Sequence, residues 1–271
     1  MPSRMPRTEA IASPANPLLK DVRRAIARGA PTGEGCVVAE GFHLLEEALR
    51  SYCEVKTVLA AEPVRSAAEA HVRKLPGIKV AVVPEVLFQT ISATETSQGV
   101  IALVRPPMWK LEQLFRGIPL VVALDGLQDP GNAGSIVRAA EAFGATGVLF
   151  LKGTVSPFNP KTLRASAGSI FRVPFLHNVD SALARAALRQ SKVELYAGVP
   201  ASANGLARPL AEVDLSGRCA LIVGNEARGV SAELRSAALD ISIPTIGVES
   251  LNAAVAAGIL LYEARRQRAL V

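Results

Sequence analysis

The stretch "PLVVALDGLQDPGNAGSIVRAAEAFGA", residues 119–145, decides the fold. It opens on an unbroken apolar run, the mark of a strand buried on both faces, as in parallel sheets flanked by helices. Pro130 and Gly131 then bend the chain, and Ile136, Ala139, Ala140 and Phe143 recur at helical spacing across an expected helix of 134–144. Asn132 is placed to cap that helix, and Gly134 to let the backbone approach a neighbour closely. Asn132, Ser135 and Arg138 follow one another at three-residue steps on the polar side, so packing does not require Arg138. Such a turn is either a well-made strand-to-helix joint or the edge of a site.

The same alternation runs outward in both directions. Downstream come strand "GVLFL", a helix near 160–170, strand "RVPFL", a helix over 180–190, and strands "VELYAGV" and "RCALIVG". A helix over 231–239, strand "DISIP" and a final helix over about 250–269 complete that half. Upstream, "GCVVAEG", "VKTVLAA" and "KVAVVP" read as strands separated by the helices "FHLLEEALRSY" and "SAAEAHVRKL", and "TSQGVIALV" ends in a last strand. The fold class is therefore α/β. Residues 1–105 are expected to form a small amino-terminal α/β domain, 106–117 a linker opened by a Pro-Pro pair, and 118–271 a second α/β domain. After a loose start, "NPLLKDVRRAIARGA" predicts a short basic amphipathic helix.

Composition bounds the chemistry. Of 271 residues 49% are hydrophobic but only 4% aromatic, so the core is built from Ala, Val, Leu and Ile. The net charge of +6 favours a polyanionic partner such as RNA. Cys36, Cys53 and Cys219 are too far apart for a zinc knuckle and odd in number for a disulfide framework, which points to the cytoplasm. His43, His71 and His177 stand alone, so no metal is expected. No apolar run reaches membrane-spanning or signal-peptide length, so no membrane partner is expected either.

Two further strand-end turns carry polar residues. In "LIVGNEARGVSAEL" four apolar residues run into Gly224, Asn225 and Glu226, where the carboxylate can either accept from a substrate group or satisfy turn amides. In "DISIPTIGVESLNAAVAAGILLYEARRQR" a strand ends at Pro244, Ser250 is placed to cap a helix, and Ala253, Ala254, Ala256, Ala257 and Gly258 leave its first turns almost without bulk. Helix amino termini at strand ends are the usual ligand positions in parallel sheets. The dinucleotide fingerprint fails, because residues 129–135 lack G-x-G-x-x-G and no acidic residue ends "GVLFLKG"; no phosphate-binding P-loop occurs.

Together "DPGNAGSIVRAAEAFGA", "LIVGNEARG" and "ISIPTIGVESLNAAVAAGILLYEARRQR" resemble, in order, the three motifs of the SpoU (TrmH) family of RNA 2′-O-ribose methyltransferases, within the SPOUT class. The resemblance covers essentially all of 118–269, and more weakly the amino-terminal domain. It implies a trefoil knot in the carboxy-terminal domain, S-adenosylmethionine bound bent within it, and an active site completed across a homodimer. It places cofactor contacts on the backbone around Gly224, Ile243 and Leu251, with Val223, Asn225 and Pro244 beside them. It assigns the polar catalytic positions to Asn132, Arg138, Glu226, Ser250 and Asn252. Ala227 departs from the glycine that often follows the motif-two glutamate, which leaves the setting of that loop open.

Lys161, Arg164 and Arg172, in the basic segment after the first motif, are expected either to contact RNA phosphates or to cap helix ends. The implied activity is S-adenosylmethionine-dependent ribose 2′-O-methylation of structured RNA, ribosomal RNA ahead of transfer RNA. The alternatives are a noncatalytic RNA-binding assembly factor on the same scaffold and, disfavoured by the missing fingerprint, a nucleotide-dependent oxidoreductase.

Overall fold

A computed structural model describes residues 7–75, 77–200 and 207–269. In chain order the first half forms β1 (Arg7–Ala10), α1 (Pro17–Arg28), β2 (Val37–Glu40), α2 (Phe42–Leu49), β3 (Glu54–Ala61), α3 (Arg65–Val72), β4 (Lys79–Val83), α4 (Glu85–Gln89) and β5 (Val100–Arg105). Then come α5 (Leu111–Leu114), β6 (Leu120–Asp125), α6 (Pro130–Ala142), β7 (Gly147–Leu151), α7 (Pro160–Ala165), β8 (Phe175–Val179) and α8 (Ser181–Gln190). The chain ends with β9 (Glu194–Gly198), β10 (Arg208–Pro209), β11 (Cys219–Gly224), α9 (Ala232–Arg235), β12 (Leu239–Ser242) and α10 (Ala253–Arg268). Two compact units result: one takes the chain up to Met108 together with Phe158–Arg172, the other Trp109–Pro157 and the chain from Val173 on.

The first unit has a mixed sheet in the order β1-β4-β3-β5-β2, with β5 antiparallel to both β2 and β3. β1 lies in what the sequence presents as a loose start; its residues, RTEA, have no apolar alternation, and it exists by pairing in parallel with β4. The basic helix forms as expected. Asn16 caps it by accepting from Leu18 N, Leu19, Val22 and Ala25 are buried, and Gly29 ends it in a left-handed conformation. Residues 158–172 belong to this unit although they follow the first motif in sequence. α7 packs on β2, Arg172 pairs with Glu47, and Cys53 Sγ donates to the Phe171 carbonyl at 3.6 Å. Gly168, at φ +88°, lies so close to α2 that a Cβ there would sit 2.5 Å from Glu47 Cβ.

The second unit carries a parallel sheet in the order β10-β12-β9-β11-β6-β7-β8. Every residue of β6 is buried, as expected of a central strand covered on both faces. Register pairs Gly224 with Asp125, so β6 and β11 end side by side and their following turns emerge together. α10 packs on α6 and β11, and its last turn is fixed at the opposite end of the strands. There Arg268 donates to the carbonyls of Leu215, Ile118 and Pro119, each at 3.0 Å.

Local boundaries differ from the sequence expectation for identifiable reasons. α6 begins at Pro130, not 134, because Asp129 is its cap and proline is at home in the first helical turn. Likewise α10 begins at Ala253, capped by Asn252. The bulk-free start of α10 is only partly filled: Ala257 is buried, whereas a Cβ on Gly258 would meet no atom within 4 Å. Among the described residues no helix is long and apolar enough to cross a membrane, no group of side chains is arranged to hold a metal ion, and the three cysteines are unpaired.

Candidate active site

The three turns expected to carry chemistry follow β6, β11 and β12, all at carboxyl ends of parallel strands. At the first, Asp129 Oδ1 accepts from Asn132 N at 2.7 Å. Asp129, and not Asn132, is thus the helix cap, which leaves the Asn132 carboxamide available for long-range contacts.

The second turn is held rigidly. Asn225 N donates to Gly229 O at 3.0 Å and Gly229 N returns a bond to Asn225 O at 2.8 Å. The Asn225 side chain accepts from Ala227 N and Arg228 N, both at 3.0 Å, and donates to Gly126 O at 2.8 Å, tying the loop to the end of β6. Buried Asp125 accepts from Ser231 N at 2.7 Å and fixes the exit. Gly224 is required sterically, since a Cβ there would lie 2.2 Å from Gly229 C and 2.3 Å from Val230 N. The left-handed position falls on Gly229, at φ +68°, so Ala227 costs the loop nothing and the family's glycine is not needed there.

Glu226 turns back toward the first motif. Its carboxylate accepts from Gln128 N, Asp129 N and Asn132 Nδ2, each at 3.3 Å. Partial burial alone would raise its pKa. Hydrogen bonds from its own amide, from Gln128, from the Asn132 side chain and from Asp129 outweigh that, and the pKa is lowered.

The third turn joins through Asn252. Its Oδ1 caps α10 by accepting from Ala254 N at 2.9 Å and Val255 N at 3.3 Å, while its Nδ2 donates to Asn132 Oδ1 at 3.0 Å. Asn252, Asn132 and Glu226 therefore form a head-to-tail relay across the three turns. Both asparagine positions need a side chain that accepts on one atom and donates on the other, which a carboxamide does and an ionised carboxylate cannot.

Ser250 is exposed, makes no hydrogen bond among the described residues, and is not the cap of α10. Arg138 is exposed on α6, and its side chain likewise has no hydrogen-bond or ion-pair partner among them. Ile243 and Leu251 are half-buried, Val223 buried and Pro244 exposed. Among the described residues, no backbone-to-backbone hydrogen bond involves residues 245–251; the turn's one internal bond is Thr245 Oγ1 to Val248 O at 2.9 Å. Lys161, Arg164 and Arg172 lie in the first unit, where Arg172 is taken up by Glu47 and Arg164 is exposed. Gln128, Asp129 and Asp125 escaped the sequence reading. An acidic residue directly before a proline was the available signal for Asp129, because Asp-Pro is a common helix opening.

Comparison with known proteins places this arrangement. Residues 119–262 match the model of the SpoU rRNA methylase family and residues 16–102 that of the MRM3-like substrate binding domain. The chain is 36% identical to the 23S rRNA (guanosine(2553)-2′-O)-methyltransferase RlmP of Bacillus subtilis, over 94% of this chain and 98% of that one. It is 28% identical to mitochondrial rRNA methyltransferase 3 of Homo sapiens, over 86% and 68% of the two chains. Among solved structures, the AdoMet-bound rRNA methyltransferase from Sinorhizobium meliloti superposes with a TM-score of 0.81 at 30% identity, covering 96% of this chain and 98% of that one. The cofactor complex of AviRb from Streptomyces viridochromogenes gives 0.83 at 25% identity, covering 94% and 98%. The chain belongs to the SpoU rRNA methylase family, with the family's α/β fold behind an MRM3-like amino-terminal domain.

Proposed function

We propose that this protein transfers the methyl group of S-adenosylmethionine to a ribose 2′-oxygen in ribosomal RNA. The observation that carries the reading is the Asn252–Asn132–Glu226 relay, which draws three separate motif turns into one place at the strand ends. Relatives named as 23S rRNA 2′-O-methyltransferases support ribosomal over transfer RNA.

The residues present fit the cofactor. The backbone groups of 245–251 are not engaged with other backbone, and the turn lies beside half-buried Ile243 and Leu251, as a ligand held by main-chain contacts requires. Val223, Gly224, Asn225, Ile243, Pro244 and Leu251 would hold it, and when bound it supplies an activated methyl group on a sulfonium. The knot belongs to the same reading: from β12 the chain passes the ends of β9 and β11 to bring Asn252 to Asn132, in the helix that follows β6.

A ribose hydroxyl is a poor nucleophile, so the protein's own task is alignment and stabilisation of developing negative charge. Arg138, charged and without an internal partner, grips the phosphate beside the target ribose and stabilises the 2′-alkoxide as it forms. A guanidinium offers N–H donors and no acceptor, which suits it to that role more than to accepting the proton. Asn132 and Asn252 fix the geometry, Glu226 locks the second turn to the first, and Ser250 contacts the substrate hydroxyl.

The working unit is a homodimer in the cytoplasm. Val255, Ile259 and Tyr262 recur along an exposed side of α10, Ile246 and Val248 are exposed just before it, and Gly258 is open on the same helix. Exposed apolar residues gathered on one helix and the turn before it favour an interface. Incubation with unmodified 23S rRNA and labelled cofactor, followed by mapping of 2′-O-methyl positions, tests the activity; one new site is expected. Cofactor binding without methylation would make the protein an assembly factor, and modification of transfer RNA alone would reassign the substrate.

A further inference from the structure

The second unit has another charged feature, at the opposite end of its strands. An open groove of about 940 Å³ runs between α8 and the segment joining α9 to β12. Small residues, Ala182 and Ala186, keep the α8 wall low. Arg185 and Arg189 flank them one helical turn apart, about 6 Å along the axis. Lys192 follows just beyond the helix end, turned by a left-handed backbone at φ +53°.

These charges are not used up internally. Arg185 donates only to the Glu233 carbonyl at 3.1 Å, and the side chains of Arg189 and Lys192 have no hydrogen-bond or ion-pair partner among the described residues. Glu194 is the one carboxylate in the lining and accepts from the Tyr196 hydroxyl at 2.8 Å, so three cations face one anion. The carbonyls at the end of α8 would account for a cation in its last turn, but not for three lining one cavity. An adjoining cavity of about 510 Å³ differs: there Glu194, Glu212 and Asp214 offset Lys192, Arg208 and Arg218. The excess positive charge is therefore local to the first groove.

Its position separates it from the chemistry. β9 starts at Glu194 and β12 at Leu239, beside the groove, whereas the motif turns follow Gly224 and Ser242 at the far ends. A strand of this length spans about 15–20 Å.

We propose that this groove is a second RNA-docking site, which holds the phosphodiester backbone of the rRNA substrate at nucleotides remote from the methylated ribose. The inference rests on the rRNA reading above. Its ligand is the backbone and not a base, because the lining offers cations spaced along an open channel and no exposed aromatic face.

The test uses the full chain as R189E/K192E, with R116E/R265E, two exposed cations outside the groove, as a control of equal charge change. Filter binding to a 23S rRNA transcript across a salt series is the readout. The groove variant is expected to bind at least tenfold more weakly at low salt, and the slope of log affinity against log salt to shrink by up to about 0.9 per lost phosphate contact. The control keeps its slope, and both variants keep wild-type Tm and cofactor affinity. A groove variant with the slope of wild type overturns the proposal, as does displacement by poly-glutamate at the concentrations at which polyuridylate competes, which would assign the groove to an acidic protein. Failure of wild type to methylate the transcript would instead count against the function itself, since the groove is read by binding alone.

Discussion

Gly224→Ala is a small change with a large expected effect. Its methyl group would be placed 2.2 Å from Gly229 C, 2.3 Å from Val230 N and 2.4 Å from Gly229 O, all backbone atoms that no side-chain rotation can move. Reaching ordinary contact requires the returning arm of the loop to retreat by more than about 1 Å. That stretches the paired bonds between Asn225 and Gly229, now 3.0 and 2.8 Å, past hydrogen-bonding range. Overpacking of this kind costs about 1–3 kcal/mol, and each lost bond about 0.5–1.5 kcal/mol more, so the total is about 2–6 kcal/mol. At roughly 2–4 °C per kcal/mol for a unit of this size, Tm should fall by about 4–24 °C. Calorimetry should show cofactor affinity reduced at least tenfold, because the same loop positions Glu226. Gly217→Ala is the control: a Cβ there meets nothing within 4 Å, and Tm should stay within about 1 °C. A G224A protein with wild-type Tm and cofactor affinity would refute the claim that the close approach at Gly224 sets the loop.

Other perturbations probe the remaining parts. Because its folded pKa is lowered, the Glu226 carboxylate contributes stability above its unfolded pKa that is lost as pH falls through the folded value. The Tm difference between wild type and Glu226→Gln should thus be largest near neutral pH and shrink as the solution is acidified below about pH 4; a difference independent of pH would remove the carboxylate from the account. In the first unit, buried Glu40 accepts from Ser92 Oγ, Ala93 N, Thr94 Oγ1 and Ser97 Oγ. Glu40→Ala should destabilise by at least about 3 kcal/mol in denaturant melts, with hydrogen exchange rising first in residues 92–98. Gly168→Ala introduces both a clash with Glu47 and a strained positive φ, so it should loosen Phe158–Arg172 and make that segment more sensitive to limited proteolysis than in wild type.

Much of this was legible in the sequence because the information is local. An apolar run that ends abruptly in a turn of Gly, Asn and Asp reports a buried parallel strand, and the three motif turns were found that way. What escaped depends on partners distant in sequence. β1 is a strand only because β4 lies beside it, and the segment Phe158–Arg172 joins the first unit through β2, which packs on α7, and through Glu47, which meets Gly168 and Arg172 from more than a hundred residues earlier. Arg172 illustrates the cost: a basic residue in a basic segment resembles a phosphate contact until its carboxylate partner is located. The helix caps show a subtler limit. Both Asp129 and Asn132 have capping side chains, as do Ser250 and Asn252, and the backbone decides which one caps. In each case the choice determines which neighbour remains for the site.

The central claim, that Arg138 is the charged group serving the transfer while the relay and the loops only arrange it, is tested by single-turnover methylation of 23S rRNA. Wild type, Arg138→Lys and Arg138→Ala should be compared with cofactor affinity measured in parallel. Loss of at least a thousandfold in rate for R138A, partial activity for R138K and cofactor affinity within a few-fold of wild type in both is the predicted result. Near-normal turnover by R138A would contradict it.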